Sequence, residues 1–410
     1  MKTRIVFCLG LALAGYLLCL RLVLAGSNSA DMDRVVAGNS EFALDLYGSL
    51  RSGEGNVFFS PYSISTALAM TYAGARAETA DQMSGTLHFD LPSNKLHPVF
   101  STLQTHLDAI QEKGQVQLAV ANSLWPQAGF DFRPDYLALC AQYFGAAIVP
   151  LDFAHHTEAA RKEINGWVSV RTARKIPELI RPKMLDESNR LVLVDAIYFK
   201  GNWRSKFPIG QTEDQLFHVS SEKAVTVPLM QQTAEFGYAE FPGLQALEMP
   251  YAGGDISMVV LLPRDVDGLG KIEAQLTPAN LKTWTAGLAN QKVQVFFPTF
   301  TVTSEFSLAN TLSAMGMPDA FDVRNADFSG MDGRKDLYIS RVIHQAYVKV
   351  DEEGTEAAGA TAVMVTLGAA YDTHEPPIPV FRADHPFLLL IRDNQTGSIL
   401  FLGRVMDPTR

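Results

Sequence analysis

The chain has 410 residues, 47% of them hydrophobic and 19% charged, with a formal net charge of −10. This much apolar material supports a large buried core, and the acidic balance argues against nucleic acid and other polyanions as partners. No Pro/Gly/Ser-rich linker and no repeat of fixed period divides the chain, so one large domain is expected rather than the two or three that length alone suggests.

The first 25 residues stand apart. Lys2 and Arg4 precede an apolar run from Ile5 to Leu20, and Leu22-Val23-Leu24-Ala25 follows Arg21. The pattern is that of a secretory signal cleaved after Ala25. It makes residues 26–410 the mature domain, extracellular, or periplasmic if the source is bacterial, with no membrane attachment after cleavage. An uncleaved anchor is the alternative, because the run is long and Arg21 interrupts it. Cleavage would remove Cys8 and Cys19, leaving Cys140 without a disulfide partner in the chain, so stability would come from core size. It would also remove three cations, leaving 31 basic against 44 acidic residues.

Val35, Phe42, Leu46 and Leu50 recur at helical spacing and predict an amphipathic helix over residues 31–51. A short strand, Val57-Phe58-Phe59, meets Ser60-Pro61, where the hydroxyl can cap a helix and proline fits its first turn. Ile64–Ala73 continues that helix. Val116–Trp125 alternates as a strand. Cys140 lies on an apolar helical stretch with Tyr136, Leu137, Leu139 and Tyr143, which reads as the setting of a buried structural thiol. Glu158–Thr172 is helical around Ile164, Trp167 and Val168, and Leu191–Lys200 is a continuous apolar strand buried on both faces. Further strands are expected at Ile256–Leu262, Val293–Phe297, Arg341–Val350, Phe387–Ile391 and Ile399–Val405. Helices dominate the first half and strands the second, the pattern of an α+β fold with large sheets.

Motifs of enzyme chemistry are nearly absent. There is no G-x-S-x-G, H-E-x-x-H, P-loop or dinucleotide fingerprint. Ser220-Ser221-Glu222-Lys223 matches the S-x-x-K of penicillin-recognising hydrolases, but the pattern is loose and its K-T-G companion is missing. His155, His156 and Glu158 could sketch a metal site, yet no second ligand cluster accompanies them, and a solvated helix start is the better account. No metal, no cofactor and no catalytic group are therefore expected.

Residues 352–383 are unlike the rest. Glu352-Glu353-Gly354-Thr355-Glu356 leads into a stretch, Ala357 to Ala370, without charge or proline. It begins with the small residues Ala357, Ala358, Gly359 and Ala360 and becomes β-branched. Such a segment can enter a sheet yet has little bulk to anchor it as a fixed core strand, and Gly354 supplies a permissive hinge before it.

The stretches Asn56-Val57-Phe58-Phe59-Ser60-Pro61 with Ser63, Ile164-Asn165-Gly166-Trp167-Val168, Ala196-Ile197-Tyr198-Phe199-Lys200-Gly201-Asn202-Trp203, the hinge Glu352–Ala360, and Phe381-Arg382-Ala383-Asp384-His385-Pro386-Phe387 occur in this order along the chain. Together they resemble the serpin superfamily, over essentially all of residues 31–408. The resemblance implies a single domain with three β-sheets, about nine helices and an exposed reactive-centre loop over about residues 354–380. It implies a metastable protein, expected as a monomer, that traps a serine protease covalently. The protease attacks the loop, and the cut loop inserts into the main sheet as a new strand. About ten newly paired residues at roughly 0.5–1.5 kcal/mol per net hydrogen bond would supply on the order of 5–15 kcal/mol, comparable to a domain's whole stability.

The resemblance places the bait residue at Gly368, with Ala369 across the scissile bond. The loop is longer than usual before Pro386, and counting from that end gives a later position; Leu367 is the second choice, because glycine fits few specificity pockets whereas leucine suits chymotrypsin- or subtilisin-like enzymes. No Lys or Arg lies between Lys349 and Arg382, so elastase-, chymotrypsin- or subtilisin-like targets are expected rather than trypsin-like ones. The hinge, Glu352, Gly354, Thr355 and Ala357–Ala360, is permissive throughout. This favours inhibition over a non-inhibitory serpin acting as carrier, chaperone or storage protein. Ser60, Ser63, Asp195 and His344 are assigned by resemblance to a polar cluster where the sheet must part, and Trp203 to the top of the sheet where insertion begins. Relatives carry asparagine where this chain has Asp195. An ionised aspartate would favour a protonated His344, so the pair is expected to make sheet opening pH-sensitive. The region Lys95–Lys113, where some members bind heparin, has only those two lysines, so no heparin site is expected. Asn394-Gln395-Thr396 is a glycosylation sequon in a turn.

Overall fold

The computed structural model describes residues 29–355 and 377–410. The signal segment, the hinge residues Ala357–Ala360 and the bait residues Leu367, Gly368 and Ala369 lie outside the described residues. Helix α1 covers residues 29–50. It is followed by β1 (Val57–Phe59), α2 (Pro61–Gly74), α3 (Ala77–Thr86), α4 (Ser93–Glu112), β2 (Val116–Pro126), α5 (Pro134–Phe144), β3 (Ala147–Ile148) and α6 (Phe153–Arg171). Then come β4 (Leu191–Asn202), β5 (Glu213–Ser220), β6 (Lys223–Phe241), β7 (Leu244–Pro250), β8 (Ile256–Pro263), α7 (Leu269–Ala274), α8 (Pro278–Ala286), β9 (Ala289–Pro298) and β10 (Phe300–Ser307). The chain ends through α9 (Ala309–Met315), α10 (Ser329–Asp332), β11 (Arg341–Asp351), β12 (Gly354–Thr355), β13 (Val380–Arg382), β14 (Phe387–Asp393) and β15 (Ile399–Val405).

Local chemistry sets these boundaries. The Ser60 hydroxyl accepts the Ser63 N–H while Pro61 takes the first helical position, so the strand β1 turns directly into α2. Asp152 accepts the His155 N–H and starts α6 five residues earlier than the periodicity around Ile164 suggested, with a bend at His156. His155 and His156 are exposed beside Asp152, as a helix start requires. Ser220 pairs with Lys223 across the tight turn between β5 and β6, so the S-x-x-K match is hairpin geometry.

A six-stranded sheet has the order β10-β11-β12-β4-β2-β3. Side chains of β4 alternate between two cores, which is why its sequence is apolar without a break. Val192, Val194 and Ala196 pack with Ile164 and Val168 of α6 on the outer face, whereas Ile197 and Phe199 join the inner core with Val260, Leu389 and Phe401. The remaining strands form one hydrogen-bonded path, β1-β15-β14-β8-β7-β6-β9-β13, with β5 on β6. Three strand groups are thus present, but two of them share the 19-residue strand β6. Its first part pairs with β5, its middle with β9, and its last residues with β7.

Cys140 is a buried free thiol whose pKa burial pushes up to about 11, so it is an inert packing residue. His97 is the odd residue of the helical layer. It is 2% exposed and neither ring nitrogen has a hydrogen-bond partner. Its ring lies among Tyr72, Tyr143 and Phe144. Burial lowers its pKa from 6.5 to about 4. Above pH 6.5 neither state carries the proton. As pH falls from 6.5 toward 4 the unfolded chain takes it up and the native chain does not, so stability is lost over that window. The folded-to-unfolded ratio should fall about tenfold per pH unit from this group alone. Urea unfolding of a His97→Phe variant between pH 7 and 5 should therefore give a shallower pH dependence than the native sequence; parallel curves would show that His97 finds a partner in solution.

Candidate functional site

β11 and β4 run parallel and pair from Arg341↔Val192 to Tyr347↔Tyr198. Above Tyr347 they separate, and β12 fills the notch between them. Gly354 and Thr355 pair antiparallel with Asp351 and Val350 on one side and with Asn202 and Gly201 on the other. Two residues of the hinge, Gly354 and Thr355, are therefore already part of the sheet.

The notch is built for this close approach. A side chain at Gly354 would place its Cβ 2.1 Å from the Gly201 carbonyl oxygen, and one at Gly201 would meet the Tyr251 ring at 2.9 Å. Trp203 stacks on Tyr251 with ring centroids 4.7 Å apart. The Tyr251 hydroxyl is bonded to Thr355 Oγ1 at 2.6 Å, and burial pushes the phenol well above its ordinary range, so it remains a neutral hydroxyl. The turn before β12 is clamped from the same side. The Trp203 N–H donates to the Glu353 carbonyl at 2.8 Å, its indole N–H to the Asp351 carbonyl at 3.0 Å, and the Phe207 N–H to the Glu352 carbonyl at 3.0 Å. Thr212 Oγ1 donates to the Glu352 carboxylate at 2.6 Å, and Lys206 pairs with Glu353. Trp203, Glu352, Gly354 and Thr355 thus come together at one end of the sheet.

Ser60, Ser63, Asp195 and His344 meet midway along the parallel pairing. His344 stands opposite Asp195 in register, and all four residues are at most 1% exposed. The Ser60 N–H donates to His344 Nε2 at 3.0 Å, and His344 Nδ1 lies 2.9 Å from Asp195 Oδ1. This corrects the expected protonated imidazole. A nitrogen that accepts the Ser60 N–H carries no proton, so the ring is neutral, with its hydrogen on Nδ1 toward Asp195. A second proton would point an N–H at the Ser60 N–H and break the tie to α2. Asp195 Oδ2 is buried without a partner. The Phe306 ring stacks parallel to His344 at 6.4 Å.

Asn122 is the member that sequence reading missed. Its amide donates to the Ser63 carbonyl at 3.1 Å and its oxygen accepts from Ser63 Oγ at 3.0 Å. It faces Asp195 across β2 and β4. A polar amide inside the apolar strand Val116–Trp125 was the available signal. Elsewhere, Lys95 and Lys113 are ion-paired with Asp31 and Asp255. Asn394 of the sequon donates its amide to the Gly254 carbonyl and Ser257 Oγ. No group of three metal-ligating side chains occurs among the described residues, and no described helix is long and apolar enough to cross a membrane.

A Gly354→Ala substitution should drive β12 out of the notch and free Thr355 from Tyr251. The tryptophan emission should then shift to the red and lose that shift in a Trp203→Phe background; an unchanged spectrum would mean the strand accommodates the methyl group.

Comparison with known proteins bears on this geometry. The family model described as serpin (serine protease inhibitor) matches residues 37–408. Leukocyte elastase inhibitor A of Rattus norvegicus is 42% identical over 388 residues, covering 92% of this chain and all of the relative. Leukocyte elastase inhibitor of Homo sapiens shows the same identity and coverage. Among solved structures, uncleaved ovalbumin superposes with a TM-score of 0.81 at 30% identity, over 91% of this chain and all of that one. Human thyroxine-binding globulin complexed with its hormone gives 0.83 at 30% identity, over 93% and 100%. A non-enzyme inferred from missing motifs is thereby replaced by a positive statement: these curated relatives are named as protease inhibitors.

Proposed function

The chain belongs to the serpin family, and we propose that it is a secreted suicide-substrate inhibitor of an elastase-like serine protease. The observation that carries this reading is β12, seated between two parallel strands that could part below it. The elastase-inhibitor names of the relatives support the target class, as does a bait region of small and aliphatic residues without Lys or Arg.

In the proposed reaction the protease serine Oγ attacks the Gly368 carbonyl. An ester forms, and the Ala369 amine leaves with the proton. The hinge side of the cut loop then inserts. Continuing the β12 register residue by residue, Glu356 would fall between Lys200 and Lys349, and Thr361 between Asp195 and His344. Residue 364 would reach Val192 and Arg341, where the parallel pairing ends. The one charge near the start of the segment would thus meet two cations, and the uncharged stretch would replace the pairing between β4 and β11. Secretion is proposed from the apolar N-terminal run, and N-terminal sequencing of the mature protein should begin at Gly26. The proposed inhibitor acts as a monomer.

Incubation with elastase-, chymotrypsin- and subtilisin-like proteases should give a complex resistant to SDS and a fragment that starts at Ala369 by intact mass. Cleavage in the loop without a complex, and without a gain in thermal stability, would favour a non-inhibitory carrier, chaperone or storage role. Reversing Lys349 to Glu should slow insertion, raising the moles of inhibitor consumed per protease about threefold or more through loss of a cross-strand charge pair. An unchanged stoichiometry would reject the proposed register.

A further inference from the structure

The chain carries a single N-x-S/T sequon, Asn394-Gln395-Thr396. It forms the turn between β14 and β15, and both side chains that glycosylation needs are already engaged there. Asn394 Nδ2 donates to the Gly254 carbonyl at 2.9 Å and to Ser257 Oγ at 2.7 Å, so each of its two N–H groups has its own acceptor. The carbonyl fixes the orientation of the amide, because a flipped Asn394 would set oxygen against oxygen. Ser257 is fully buried. Thr396 donates its hydroxyl to Asp393 Oδ2, which also accepts the Thr396 N–H at 3.0 Å. The same residues hold more than their own turn. The Asn394 N–H donates to the Asp255 carbonyl at 2.8 Å, so three bonds from one residue join this turn to the one between β7 and β8. Each turn then offers a carboxylate to the C-terminal half of α4. Asp393 Oδ2 lies 3.0 Å from His106 Nε2, and Asp255 pairs at 2.8 Å with Lys113, which caps the helix.

We propose that Asn394 staples the two turns into a platform for α4, and that the fold thereby closes the sequon to N-glycosylation. Its exposed position would otherwise mark Asn394 as an open acceptor. Attachment would form a bond between Nδ2 and the anomeric carbon of a lipid-linked sugar, with the pyrophosphate leaving and one amide proton lost. A carbon in place of either hydrogen would fall on an oxygen that stands only 2.9 or 2.7 Å from the nitrogen. A chain glycosylated before it folds would have to give up the bond to Gly254 or to Ser257 and lift one turn from the other. That would leave a buried hydroxyl or a carbonyl without its donor and loosen both carboxylates that hold α4. None of these bonds involves the reactive loop or the six-stranded sheet, so the staple is independent of the inhibitory reading.

The test secretes residues 26–410 from a glycosylating eukaryotic host behind that host's own signal sequence. The native chain should have the mass of the bare polypeptide, unchanged by peptide-N-glycosidase. Ser257→Ala keeps the sequon but frees one Asn394 N–H, so this variant should gain glycan mass that the enzyme removes. A native chain that carries a glycan would overturn the closed sequon. A Ser257→Ala chain as bare as the native one would overturn it too, because something other than the staple would then keep the sugar off. Asn394→Asp, made in a host that does not glycosylate, sets a carboxylate against the Gly254 carbonyl. It should melt about 3 °C or more below the native chain. Hydrogen exchange of residues 106–113 should quicken about tenfold while residues 94–100 hold their native rates. Equal melting and equal exchange would overturn the platform. Should Ser257→Ala fail to fold, the native mass and Asn394→Asp decide the matter.

Discussion

The parallel pairing of β4 with β11 is the constraint on which the rest of the structure turns. Both strands are otherwise bordered by antiparallel neighbours, β2 on one side and β10 on the other. Two adjacent parallel strands leave room, topologically, for one more strand antiparallel to both. β12 shows that arrangement over its two residues. Extending it would exchange one parallel ladder for two antiparallel ones, which are slightly stronger per residue and also double the number of ladders. On the proposed reading, the sheet is thus closed in a way that would leave a better-paired arrangement accessible to the same chain.

Closure is maintained where hydrophobic burial cannot provide it. Ser60, Ser63, Asp195 and His344 are buried in a region that apolar residues could have filled. Burying polar groups is costly unless each is bonded, and here the bonds run across the β4–β11 line and down to α2. Directional bonds of this kind hold one register firmly and lose their strength over a small displacement. Apolar contacts would slide gradually. The neutral His344, with an accepting nitrogen toward Ser60 and a donating one toward Asp195, is the link that spans the line. The unpaired Asp195 Oδ2 marks the closed arrangement as one that leaves a buried group unsatisfied.

Much of this was legible from residue patterns. The Ser60-Pro61 cap, the unbroken apolar run of β4 and the last strand Ile399–Val405 follow from local rules, and the structure places each where those rules put it. The resemblance brought Ser60, Ser63, Asp195 and His344 together although they lie on α2, β4 and β11. What escaped was non-local. The protonation of His344 depends on a backbone amide 284 residues away. Asn122 acquires its role only through register with β4 and proximity to Ser63. The long strand β6 escaped because Pro228 and Gly237 interrupt its periodicity, although neither breaks it: one lies where pairing passes from β5 to β9, the other where β7 joins.

The two ends of the loop are held by different means, and this fixes which side can travel. On the hinge side only the two-residue β12 and a clamped turn precede the segment, and beyond them the sheet narrows to a line held by hydrogen bonds. On the far side β13 lies parallel to β9, the Gln294 N–H donates to the Pro379 carbonyl, and Gln245 donates to the Val380 carbonyl. β14 and β15 then run through the interior of the nine-stranded sheet, with Phe387, Leu388 and Phe401 fully buried. Extracting that side would expose a central pair of strands, whereas on the hinge side the small residues Ala357–Ala360 follow β12, which already sits in the notch. In the proposed inhibitor a cut in the loop would therefore leave the C-terminal piece in place, and the energy of strand addition would be available only to whatever remained attached to the hinge.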